Sequence, residues 1–458
     1  MNITGLIVEY NPFHNGHVYH LEKSLEKTGA DASIAVMSGN FIQRGEPALF
    51  DKFSRAKSAV ESGVDLVVEL PSIYASQSAE LFAKGAISLL NSLNCVNSIC
   101  FGSEEGDIGI LSLIAYILCL EPIEFKNYLT SYLDDGILFP SARNKALFDY
   151  IKNNDFRLCD NLHDFSFVVN DLKKYNLSEE NLSNILNSPN NILGIEYIKQ
   201  ILLSKSDIKP FTIGRIMSEY NSEEISGNIN SASAVRKKID DILIDINSNN
   251  NHVDNNYLIS TISDNISNSI PDSTLNMVLS RINNNFNPVY PKDFFDILIS
   301  TIIRNKIYLD SYFDISEGIE NKIFKSALIA KDYNDLIHLI KSKRYTMTRV
   351  KRCLNNILLD IKKEDITFAK SIETIPYVRI LAFNSKGREI IKKIKNSSDI
   401  KIINKFSEIE HFMDDESFKF LIENDIKCTD LYNSVYYRKN RHLLKGSMDY
   451  FEKPIYIR

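Results

Sequence analysis

The chain has 458 residues, of which 44% are hydrophobic and 24% charged, a composition that suits a globular protein of two or three domains. It contains no run of about 18 apolar residues and no basic leader before its short apolar start, so neither a membrane span nor a signal peptide is expected, and a cytoplasmic protein is. The net charge of −6 is unevenly spread: residues 341–458 carry 25 Lys and Arg against 16 Asp and Glu, a net of +9, so the rest of the chain carries −15, and a basic C-terminal part points to a nucleic-acid partner.

Taken in chain order, the first hundred residues alternate short apolar runs with helical patterns. Strands are predicted at Ile3–Val8, Ser33–Met37, Asp65–Leu70 and Ser98–Phe101, and helices at Gly16–Lys27, Lys52–Ser62 and Ser76–Leu90. Continuous apolar strands between helices predict an α/β fold, a Rossmann-like, doubly wound parallel sheet. Ligands in such sheets bind beyond the carboxyl ends of the strands. Residues 103–187 read as mainly helical, with a polar turn at Gly136–Arg143. A further strand is predicted at Pro210–Ile213, and Asn230–Arg236 opens another helix. An Asn-rich stretch, NSNNNHVDNN at 247–256, reads as a linker. It divides the chain into 1–245, a linker over 246–258, and a C-terminal region over 259–458 that is helical and then small α/β, starting from a strand at Tyr377–Phe383.

Six cysteines (Cys95, Cys100, Cys119, Cys159, Cys353, Cys428) lack metal-ligand spacing and read as reduced thiols. The chemistry concentrates at the first strand–helix junction. His14-Asn15-Gly16-His17 puts two imidazoles and a glycine at a helix N-terminus, where unpaired amides and the helix dipole favour a phosphate. Imidazoles three residues apart share one face, so both reach one triphosphate and stabilise charge as pyrophosphate leaves. A metal pair or two surface histidines are the alternatives, but no acidic ligand stands beside them at metal spacing, and no metal site is expected. After the second strand, Ser38–Gly45 reads as a glycine-rich turn in which Gln43 and Arg44 would bind a carboxylate or a phosphate. Lys52 and Arg55 either add positive charge to the crevice or form a solvated helix face. In the basic part, Lys343, Arg344, Arg349, Lys351 and Arg352 cluster beside Tyr345 as candidate RNA contacts, with Lys386, Arg388, Arg438, Lys439, Arg441 and His442 as further positive groups.

HxGH resembles the signature of the HIGH-type nucleotidyltransferase superfamily. The segments VEYNPFHNGHVYH, AVMSGNFIQRGEPA, VDLVVELP, FGSE, SPNNILGIEYIK and SASAVRKKI, in that order, resemble the tRNA(Met) cytidine acetate ligases. The resemblance covers residues 1 to about 240 closely and the remainder loosely. It implies an ATP-binding segment over Ile7, Val8, Glu9, Tyr10, Asn11, Pro12, Phe13, His14, Asn15, Gly16, His17, Val18, Tyr19 and His20, with His14 and His17 catalytic. It also carries ATP contacts onto Gly102, Asn190 and Arg215. Ser231, Ser233 and Arg236 match the second superfamily signature and would hold phosphates, with alanine replacing one expected hydroxyl. The activity implied is adenylation of acetate by ATP, with Mg2+ on the nucleotide, and acetyl transfer to the wobble cytidine of elongator tRNA(Met). A small-molecule adenylyltransferase is the alternative that HxGH allows, and an RNA-binding protein without catalysis is a third. Nothing in the residues selects acetate, locates its pocket or sets the number of subunits.

Overall fold

The computed structural model describes residues 1–153, 177–215, 231–248, 255–342, 344–444 and 446–458. Cys159, Asn230, Lys343 and residues 249–254 of the Asn-rich stretch lie outside them. Ten strands form among the described residues: β1 (Ile3–Val8), β2 (Ala32–Ser38), β3 (Phe41–Ile42), β4 (Glu46–Pro47), β5 (Leu66–Leu70), β6 (Ser98–Ser103), β7 (Lys209–Gly214), β8 (Tyr377–Phe383), β9 (Lys401–Ile403) and β10 (Ile455–Tyr456).

One sheet runs β10-β8-β5-β2-β1-β6-β7. From β5 to β7 every pairing is parallel, with Ile3 beside Ala32 and Ser98 beside Lys209. Every residue of β2 and β5 is buried, which is why these strands read as largely apolar runs, with Glu69 the one charged residue among them. The strand order turns around at β1, whose neighbours β2 and β6 lead to opposite edges, and a crevice opens beyond their carboxyl ends.

The strand expected at Tyr377–Phe383 forms, but it does not found a second sheet. β8 pairs antiparallel with β5, Leu66 opposite Phe383, and β9 and β10 share its outer edge. The C-terminal α/β part therefore completes the N-terminal sheet. Two other departures are local. The polar turn expected at Gly136–Arg143 gives way to a helix that starts at Phe139, with Pro140 in its first turn, where a missing N–H costs nothing. The turn expected over Ser38–Gly45 contains a two-stranded hairpin, β3 with β4. Gly45 sits in it at φ +74°, and a Cβ there would lie 2.7 Å from the Arg352 backbone nitrogen, so both conformation and space require glycine.

The helices between residues 295 and 358 build their own apolar cluster around Leu298, Ile302, Ile319, Leu336 and Leu354. A second cluster joins the helices before them to the sheet domain through Leu49, Phe50, Val235, Ile262 and Val278. No single helix among the described residues is long and apolar enough to cross a membrane, and the strongly apolar helix Ile108–Leu120 packs against Pro189–Leu203.

Candidate active site

A cavity of about 260 Å³ lies beyond the ends of β1, β6 and β7. The helix Asn15–Thr28 begins at its rim. His14 is the N-cap in extended backbone (φ −138°), and its Nδ1 accepts the Gly16 N–H at 3.0 Å. The His17 Nδ1 accepts the His14 N–H at 3.2 Å, and the two rings stack at 3.8 Å. Both Nδ1 atoms thus accept a hydrogen bond from a backbone N–H, so the neutral rings carry their own hydrogen on Nε2, as donors. Burial, then the Arg215 and Arg236 charges, push the His14 imidazole down to about 3. Burial and then Arg215 hold His20 down to about 4, and burial, followed by its two histidine neighbours, keeps His17 well below its usual value. Three neutral imidazoles therefore follow one helix at three-residue intervals.

This corrects part of the sequence reading. The Asn15 N–H is taken by the Ser269 carbonyl (3.1 Å), Gly16 N–H by His14 and the His17 N–H by the His14 carbonyl (2.8 Å). No amide of residues 15–17 is left unpaired for an anion, so the donors at this end are imidazoles.

Of the segment 7–20, Ile7, Val8, Glu9, His14, Gly16, His17, Tyr19 and His20 line the cavity. Tyr10, Asn11, Pro12, Phe13, Asn15 and Val18 do not. Tyr10 and Phe13 are buried and meet the His17 ring edge-on or tilted, 4.9 and 5.4 Å away, fixing its plane. The Asn11 Oδ1 accepts the Leu49 N–H, and its carbonyl accepts Arg236 Nη1 at 2.7 Å. Asn15 donates from its side chain to the Asn268 carbonyl.

The opposite wall is the helix Ala232–Ser248. Ser231 Oγ accepts the Ala234 N–H, and Ser233 Oγ accepts from both Arg236 Nη2 (3.2 Å) and Arg44 Nη1 (3.4 Å). Ser231, Ser233, Arg236, Gln43 and Arg44 all line the cavity. Arg215 follows β7 and lies across from Gly102, whose added Cβ would meet only the Arg215 side chain, at 3.5 Å. The protein itself would accept a side chain at 102, so any demand for glycine there comes from a ligand. Asn190 lines the cavity, with its amide donated to Glu104 at 2.6 Å. Asn191 is buried and instead ties the Glu105 N–H to the Ile185 carbonyl.

The wall that sequence reasoning missed is apolar: Phe82, Phe101, Leu193, Tyr197 and Ile213. Phe101 and Tyr197 meet edge to face at 5.7 Å. The four-residue spacing of Leu193 and Tyr197 was the available signal, since it places both on one helix face. Lys52 and Arg55 fit neither expectation, being almost fully buried and absent from the cavity wall. Lys52 pairs with Glu69 at 2.8 Å and Asp449 at 3.2 Å. Arg55 donates to the carbonyls of Glu9 (2.6 Å), Ser38 (3.1 Å), Phe50 (3.0 Å) and Gly39, clamping the ends of β1 and β2. The first basic cluster is also largely neutralised within the chain: Arg349 by Asp314 (3.2 Å), Arg352 by Asp314 (3.8 Å), Arg344 by Glu317 (3.2 Å) and Lys351 by Glu46.

A family model described as HIGH Nucleotidyl Transferase matches residues 1–446. A tRNA(Met) cytidine acetate ligase of Clostridium perfringens is 43% identical, with all of both chains covered, and one of Alkaliphilus metalliredigens is 40% identical over 100% of this chain and 99% of that one. The crystal structure of Thermotoga maritima TmcAL bound with alpha-thio ATP superposes with a TM-score of 0.83 at 31% identity, covering 100% of each chain.

Proposed function

The chain belongs to the tRNA(Met) cytidine acetate ligase family, within the HIGH nucleotidyltransferases, and on that premise we propose that it activates acetate with ATP and acetylates a cytidine of tRNA(Met). The observation that carries this reading is the polarity of the cavity at the strand ends. Neutral imidazole donors face it from one helix, guanidinium groups of Arg44, Arg215 and Arg236 from three other elements, and an apolar wall closes it. A triphosphate suits the donors, and an adenine suits the wall of Phe82, Leu193 and Tyr197.

In the first step an acetate oxygen attacks the α-phosphorus and pyrophosphate leaves. Charge accumulates on the phosphate oxygens, where His14, His17 and the arginines supply fixed donors in a site of low dielectric. Neutral imidazoles serve this better than imidazolium, because they donate without needing to be charged in a buried position. Acetyl-AMP then holds a carbonyl with a good leaving group. In the second step the cytidine amine attacks it, the new C–N bond forms and AMP departs. No group of three His, Cys, Asp or Glu among the described residues is placed to hold a metal ion. Mg2+ would therefore enter on the ATP phosphates, with water completing its shell.

For the elongator tRNA(Met), and its wobble cytidine, the cavity edge near Arg236 is the approach. Tyr290 donates its hydroxyl to the Arg236 carbonyl (3.3 Å), and Lys439 lies 5.5 Å from the Tyr290 ring. This brings the basic end of the helix Glu416–Lys439, with exposed Arg438 and Arg441 beside it, close to the phosphate wall. Lys439 is itself paired with Asp293 at 2.7 Å, so Arg438 and Arg441 are the better phosphate contacts beside the ion-paired cluster at 344–352.

Acetate-dependent ATP–pyrophosphate exchange tests the first step. Exchange that requires acetate and needs no tRNA supports the proposal, and exchange that is indifferent to acetate rejects it.

A further inference from the structure

We propose that Glu9 is the general base of the acetyl-transfer step, an assignment that rests on the ligase reading above. Glu9 follows β1 directly and is fixed at both ends. Arg55 Nη1 donates to its backbone carbonyl at 2.6 Å, and the Gln43 N–H donates to its Oε1 at 2.9 Å. Its second oxygen has no hydrogen-bond partner among the described residues. It is also the one carboxylate among the described residues lining the cavity.

The reaction needs such a group. The exocyclic amine of cytosine is conjugated with the ring, so its lone pair is a poor nucleophile, and the N–H becomes strongly acidic once the nitrogen bonds to the carbonyl carbon. Removing that proton as the C–N bond forms prevents reversal and lets the anhydride C–O bond break with AMP taking the electron pair. The proton passes from the amine to the Glu9 carboxylate and then to water.

The cavity's other nitrogen bases do not fit the task. His14 and His17 spend their Nδ1 lone pairs on backbone N–H groups, leaving Nε2–H as a donor. His20 is buried next to the Arg215 charge, which opposes taking up a proton. A carboxylate held between a hairpin amide and a guanidinium-anchored backbone is already positioned and needs no rearrangement to act.

Glu9→Gln tests the assignment, because the amide oxygen still accepts the Gln43 N–H while the side chain no longer takes a proton. Two rates are measured with the full chain: acetate-dependent ATP–pyrophosphate exchange, and single-turnover transfer to tRNA from synthetic acetyl-adenylate. The expected result is a transfer rate lower by about 100-fold or more, a typical loss for a general base. Exchange should fall far less. Transfer within a few-fold of wild type overturns the assignment. So does an equal loss of exchange and transfer with a raised Mg2+ requirement, which would place Glu9 on the nucleotide or its metal. If the wild-type chain exchanges without acetate and transfers nothing, the ligase reading falls as a whole, and this outcome differs from the other two.

Discussion

At the scale of single residues, the account depends on neutral histidines. His14 lies near a pKa of 3 and His20 near 4, both because burial disfavours the imidazolium and Arg215 repels it. A histidine whose folded pKa lies below its unfolded value of about 6.5 contributes stability above that pH, and the contribution is lost as pH falls toward the folded value. The melting temperature is therefore expected to drop between pH 7 and pH 4, and Glu or Asp protonation aside, His20→Gln should drop less; identical profiles would show that His20 is not held neutral by the fold. His17→Ala removes a donor from the cavity wall, and acetate-dependent exchange should fall by about 100- to 1000-fold, with tRNA binding in a filter assay nearly unchanged. Equal loss of both would make His17 a structural residue that supports the neighbouring rings. His14, Gly16 and His17 were legible because the strand–HxGH–helix pattern fixes them locally. The tautomer was not legible, since it depends on which backbone amide each ring nitrogen meets.

At the scale of elements, the site is assembled by strand ends and one hairpin. Arg55 satisfies four carbonyls that terminate β1 and β2 and open the next helix, with no carboxylate among those acceptors. Arg55→Met leaves these carbonyls buried without donors and should destabilise the fold by about 3 kcal/mol or more in urea titration. A loss below about 1 kcal/mol would mean that water replaces the guanidinium. Gly45→Ala forces a side chain into positive φ and against the Arg352 backbone. It should cost about 1–3 kcal/mol and weaken ATP binding through Arg44, next in sequence. Strands β1, β2, β5 and β6 were read within one or two residues because a strand covered on both faces is mostly apolar. The two-residue strands of the β3–β4 hairpin carry no such periodicity. Lys52 and Arg55 look like any helix surface until Glu69, Asp449 and the strand-end carbonyls close around them, contacts that only the folded chain makes.

At the scale of the whole molecule, the C-terminal segment is locked into the N-terminal sheet. β8 extends that sheet, and a buried quartet crosses the junction: Lys52 and Arg379 against Glu69 and Asp449, with Arg379–Asp449 at 2.8 Å and Arg379–Glu69 at 3.6 Å. Asp449→Asn leaves two buried cations facing one carboxylate, and a loss of about 3–5 kcal/mol is expected, read as a lower urea midpoint for the entire chain. Separate transitions for the two parts would contradict this coupling. The basic excess beyond residue 341 was visible in composition, but its distribution was not: ion pairing consumes much of the 344–352 cluster, while Arg438 and Arg441 remain exposed. If this cavity couples ATP to acetylation of tRNA, incubating the protein with radiolabelled acetate and tRNA(Met) should put label into tRNA only when ATP is present, recovered as acetylcytidine on digestion. A folded, ATP-binding protein that leaves tRNA unlabelled would rule that coupling out.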